Sequence, residues 1–132
     1  MNPRLRDKQI NVHIDGVQLG VVTETKFFGV IVQNNISWNS HMDHISKKIA
    51  KGIEILYKVS DKLSESAKIS LYYGLIYPYI HNCYVVWGVD NKTGLSAIHR
   101  QQKHVLRIIY GLKQRDSTIM YFEITDMLTI YQ

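Results

Sequence analysis

The sequence predicts an α+β chain: a small N-terminal antiparallel β meander followed by a mainly α-helical bundle. Three observations carry this. An Asp15-Gly16 pair separates two short apolar-rich segments, Ile10–Ile14 and Val17–Val22. From Met42 to Leu63, apolar residues recur three or four positions apart. Beyond them, Ile69–Trp87 is apolar around nearly its whole circumference, as only an element at the centre of a packed unit can be. The boundary falls after Ile36, dividing the chain into residues 1–36 and 37–132.

Asp-Gly between two such segments signals a tight hairpin, because both central residues of that turn take positive φ. After Thr23-Glu24-Thr25, Phe27–Val32 reads as a third strand. Gly29 within it implies a bulge or the close approach of another backbone. Three short strands make a poor core and need something to pack on. A polar turn, Gln33-Asn34-Asn35, and an anchoring Trp38 lead into the first helix, with Ser40 as its expected cap.

That helix presents Met42, Ile45, Ile49, Ile53, Leu56, Val59 and Leu63 on one side. Its other side carries Lys47, Lys51, Glu54, Lys58 and Lys62, with Lys48 adjacent. Such a face is either solvated, with Glu54 supporting Lys58 one turn on, or a surface that follows a nucleic-acid backbone. Ser64 can cap a second helix running toward Gly88, which Pro78 must kink or break. Along it Leu71, Leu75, Ile76, Tyr79, Ile80, Cys83, Val86 and Trp87 keep helical spacing. Tyr72, Tyr73, Tyr77 and Tyr84 fill the rest, a cluster better read as core than as a base-stacking platform.

A polar connection, Asn91-Lys92-Thr93-Gly94, precedes a third helix at about Leu95–Tyr110, which Gly111 is placed to end. Leu95, Ile98, Val105 and Ile109 face inward. Arg100, Lys103, His104 and Arg107 share another face, and no acid interrupts the run until Asp116. Guanidinium groups fork onto phosphate oxygens, so this is the stronger of the two basic surfaces, although a solvated face remains open. The tail suggests a short helix near Ser117–Glu123 and the opening of another, so that the chain reads as cut within an apolar pattern.

The formal charge of +5 suits an acidic or nucleic-acid partner without requiring one. Cys83, the lone cysteine, excludes an internal disulfide framework and reads as a buried small hydrophobe. The N-terminal MNPRLRDKQI lacks the apolar core of a signal peptide, which points to a reducing, cytoplasmic or nuclear setting. Sequons at Asn35 and Asn91 carry no meaning without a secretory route. Ile69–Trp87 contains Ser70, Gly74, Pro78, His81 and Asn82, and its tyrosines form no terminal belts, so a buried helix is favoured over a membrane span.

His41 and His44 lie three apart, tolerable spacing for two metal ligands, but no further ligand has an obvious place and a structural pair is favoured. Nucleotide-binding glycine loops and a serine nucleophile elbow are missing, and the scattered carboxylates offer no pair for acid–base or two-metal work. Neither a catalytic residue nor a metal site is expected in this chain.

Four blocks resemble one family. They are KFFGVIV with NNISWNSHMDHI, LYYGLIYPYIHNCYVVWG, AIHRQQKHVLRIIYG and YFEITDMLTIYQ. Together they are similar to the reverse transcriptases of non-LTR retrotransposons (LINE or Jockey type), over about Ile10 to Gln132. The resemblance implies the end of a polymerase palm followed by a thumb. In that family two palm aspartates bind the Mg2+ ions of nucleotidyl transfer. The motif that holds them lies upstream of anything in this sequence, so no cofactor is implied within it. Phe27, Phe28, Gly29 and Val30 match the primer grip, with Phe28 replacing the usual leucine. On this resemblance Lys47, Lys48 and Lys51, with Arg100, Lys103 and Arg107, would touch the backbone of an RNA–DNA hybrid or a DNA duplex. The missing palm and fingers would be its protein partner, and a membrane would not be one. The chain alone would lack polymerase activity. The rival reading is an inert host-retained remnant that serves as a protein-interaction module or has no function.

Overall fold

In the computed structural model the residues described are 11–82, 84–88, 92–127 and 129–131. Ile10, Cys83, Asn91 and Gln132, on which parts of the sequence reading fall, lie outside them. The Asp15-Gly16 turn forms as its chemistry dictates, with φ of 49° and 77°. It pairs β1 (His13–Ile14) with β2 (Val17–Gln18), Ile14 opposite Val17.

The predicted third strand is instead a second hairpin. Phe28 and Gly29 take φ of 47° and 83°, reversing the chain between β3 (Glu24–Phe27) and β4 (Val30–Gln33), with Phe27 opposite Val30. The two hairpins form separate two-stranded sheets rather than one meander. The chain remains α+β. Residues 11–29 are exposed throughout, and Val30 is the buried hydrophobic residue of the hairpins.

Helix α1 (Asn39–Val59) starts one residue before Ser40, with Trp38 at its cap position and no side-chain cap. Ser40 is therefore within the first turn, where its amide donates to Gln33 Oε1 of β4 at 3.5 Å. Met42, Ile45, Ile49, Ile53 and Leu56 are buried along one side, the expected stripe. Full burial of each such side chain stabilises by about 1.5–3 kcal/mol. A 3-10 turn (Ser60–Lys62) follows.

Ser64 caps α2 (Glu65–Leu75), its hydroxyl accepting from the Ala67 amide at 3.3 Å. Pro78 then breaks the run: α3 (Tyr77–His81) begins afresh with the proline in its first turn, where no amide donor is needed. A single turn, α4 (Tyr84–Trp87), closes the segment. Because the helix is interrupted, its predicted inward face shifts. Tyr72, Ile76, Ile80 and Trp87 are buried, whereas Tyr79 and Val86 are exposed. The buried indole of Trp87 donates to the Asn82 carbonyl at 2.8 Å.

Helix α5 (Lys92–Tyr110) takes in the polar Lys92-Thr93-Gly94, and Gly111 ends it at φ 64°. It runs in the same direction as α1. Gln101 Nε2 donates to the Ser46 carbonyl near one end, while Tyr57 and Ser60 share a groove with Arg107 and Gly111 near the other. Its buried side is Leu95, Ile98, Val105, Leu106 and Ile109, interrupted by Gln102. Gln102 is buried because it is used twice, donating to the Tyr72 hydroxyl (3.2 Å) and accepting from the Ile130 amide (3.0 Å). α6 (Ile119–Ile124) confirms the short tail helix, but the described residues after it form turns rather than another helix. Phe122, Met127 and Ile130 close the core there.

Candidate nucleic-acid interface

Of the four expected primer-grip residues, Phe27, Phe28 and Gly29 are exposed and Val30 is not. Phe27 and Phe28 are 65% and 80% exposed and stack edge-to-face at the hairpin tip, their centroids 4.4 Å apart. The positive φ of Phe28 costs an L side chain about 1 kcal/mol or more. Gly29 makes the turn with a tolerated φ and keeps the backbone close to α3, where a Cβ would meet Asn82 Nδ2 at 3.1 Å. That same amide nitrogen donates to the Phe28 carbonyl. Val30 is buried, so it seats the hairpin and offers no surface of its own.

The hairpin is held against α1 by His41. Its Nδ1 accepts from the Ile31 amide at 3.3 Å, and its ring packs edge-on to Trp87 at 5.4 Å. Burial, then the neighbouring His44, lowers its pKa. A neutral, structural histidine results. Among the described residues no group of three or more His, Cys, Asp or Glu side chains converges.

Lys47, Lys48 and Lys51 do not form one patch. Lys47 and Lys51 stand exposed on the outer side of α1, whereas Lys48 is half-buried and turns toward the second hairpin. There it shares a small cavity with Lys26 and His44, neither expected as a site residue. Lys26 reaches this position only because the chain reverses at Phe28-Gly29, a turn that phenylalanine does not announce.

The α5 cations do come together. Arg100, Lys103, His104 and Arg107 line a groove of about 910 Å³ between α5 and the end of α1, with Tyr57 on its wall and Asp61 as its carboxylate. Arg107 Nε is buried there without a hydrogen-bond partner. A second opening between the helices is lined by Ala50 and Ile53 on one side and by Arg100 and His104 on the other. One ion pair forms among the described residues, Lys58 to Glu54, and it involves none of the six lysines and arginines singled out.

Comparison with protein-family models, curated proteins and solved structures finds no match to this chain. Function therefore rests on the site's own chemistry. No helix among the described residues is long and apolar enough to cross a membrane.

Proposed function

We propose that this chain grips the sugar–phosphate backbone of an RNA–DNA hybrid or DNA duplex, as the primer-grip and thumb part of a non-LTR reverse transcriptase whose catalytic aspartates and Mg2+ lie elsewhere. The setting is cytoplasmic or nuclear. One observation carries the reading: the six lysines and arginines stand without an ion-pair partner among the described residues, and the groove that Arg100, Lys103 and Arg107 line holds a single carboxylate, Asp61. Charges left uncompensated in this way favour a polyanion, and lysine or arginine contacts to its backbone position a strand rather than read its bases. The exposed Phe27 and Phe28, held at a strained turn, supply an apolar contact for a strand end.

Replacing Lys47, Lys48 and Lys51 together by Gln tests this. Each lost phosphate contact flattens the dependence of log K on log salt by about 0.9, so the triple variant is expected to lose up to about 3 from the slope. An unchanged slope would refute the reading.

A second reading, a protein-interaction module, is favoured by the apolar residues exposed on the first hairpin and after it, Ile14, Val17, Val21 and Val22. Partner binding through that surface would survive high salt; the backbone grip would not.

A further inference from the structure

Between the second hairpin, α1 and α3 lies a cavity of about 190 Å³ whose lining holds two lysines, two histidines and no carboxylate. Lys26 reaches it from β3, and His44 and Lys48 from successive turns of α1. Asn82 and the Tyr79 ring close it from the α3 side. At this size it is smaller than the roughly 300–1,000 Å³ of sites that take a whole small molecule. It has room for several waters at about 30 Å³ each, and hence for one tetrahedral oxyanion, but not for a nucleoside.

Two further observations point to an anion there. Partial burial, then the ammonium groups of Lys26, Lys48 and Lys47, hold the His44 imidazole below its ordinary pKa, so positive potential at the cavity is not neutralised by the protein itself. His41, also in the lining, spends its Nδ1 on the Ile31 amide, which leaves the ring proton on Nε2. That Nε2 is buried and has no hydrogen-bond partner.

We propose that this cavity binds a single phosphoryl oxyanion between Lys26, Lys48 and His44, and that occupancy brings a proton onto His44. The natural ligand would be one phosphate of the strand held by the neighbouring surfaces, a point that rests on the function proposed above; the anion site itself does not. The coupling follows from what faces His44: Lys26 from β3, Lys47, Lys48 and His41 from α1, and Tyr79 from α3. None of these carries a negative charge at neutral pH, so an arriving oxyanion is the first group to favour the imidazolium. Gly29 belongs to the same design, since a side chain at that position would press on Asn82.

Inorganic sulfate is the probe, because its charge does not change across the histidine range. The histidine ring resonances of the full chain are followed by NMR from about pH 5 to about pH 8, with and without sulfate at matched ionic strength. Sulfate is expected to raise the His44 midpoint by about one unit, equivalent to about tenfold tighter binding below the transition than above it. Lys48→Gln should abolish the response, and Lys58→Gln, an equal loss of charge at the Glu54 pair, should leave it intact. His44→Gln should remove the pH dependence of sulfate binding. A His44 titration indifferent to sulfate in the folded protein, or a response that survives Lys48→Gln, overturns the proposal. Salt-dependent duplex binding with no sulfate effect would reject the cavity and leave the backbone grip standing, whereas a sulfate effect without duplex binding would do the reverse.

Discussion

Gly52 sits in the middle of α1, on its buried side, against the junction of α2 and α3. In a free helix Gly→Ala gains about 1 kcal/mol. Here the added Cβ would lie 2.8 Å from Cγ1 of Ile76 and 3.2 Å from the Leu75 carbonyl oxygen. Ordinary carbon–carbon contact is about 3.5–4.0 Å, so the overlap is large. Ile76 is completely buried and branched at Cβ, and its Cγ1 is not the free end of a flexible chain. Overpacking of this kind costs about 1–3 kcal/mol, and the short distance places it in the upper part of that range. Gly52→Ala is therefore expected to destabilise by a net 1–2 kcal/mol or about 4–8 °C in Tm. Gly74, exposed on α2 with nothing near its Cβ position, provides the opposite sign: Gly74→Ala should stabilise by up to about 1 kcal/mol. Urea unfolding of the two variants beside the parent measures both. If Gly52→Ala were as stable as Gly74→Ala, the packing of α1 against the α2–α3 junction would be wrong.

Gln102→Leu should cost about 2–4 kcal/mol, since it strands both the Tyr72 hydroxyl and the Ile130 amide, and proteolysis should then cut first near Ile130. A variant as stable and protease-resistant as the parent would show that the tail is not held this way. Stability should also fall between about pH 7 and about pH 5. Burial first, with His44 beside His41 and Lys103 beside His99, holds these imidazoles and that of His44 below 6.5. The unfolded chain then binds more protons, and stability present above about 6.5 is lost as the pH falls through the folded values. An unchanged or higher urea midpoint at the lower pH would contradict this. At the alkaline end the Tyr72 hydroxyl, pushed up to about 12 mainly by burial, contributes stability that is lost as the pH rises from 10 toward that value.

Local chemistry made much of this fold legible. Asp15-Gly16, the α1 stripe, the Ser64 cap, the break at Pro78 and the stop at Gly111 each rest on a residue whose own geometry demands the feature. The second hairpin was not readable, because Phe28 in a left-handed conformation contradicts its intrinsic preference and Phe27–Val32 alternates poorly enough to pass for a single strand. Ser40 looked like a cap because serine favours that position, yet Gln33 from β4 serves the Ser40 amide, a tertiary contact with no local signal. Gln102 broke an apolar stripe without revealing its two buried partners. The same limit applies to the site. Charge periodicity identified the basic faces of α1 and α5, but only helix packing sets Arg100 and His104 opposite Ala50 and Ile53 of α1. Lys26, His44 and Tyr57 join the lining through chain reversals and helix packing that spacing along one element cannot express.

The most direct measurement is titration of the full chain with a short labelled RNA–DNA hybrid at two salt concentrations. Six cations at about 0.9 each set an upper limit near 5 on the salt slope, and a slope of about 3 to 5 is expected. No binding at low salt by the folded chain, or binding that does not weaken as salt rises, would contradict the proposed backbone grip.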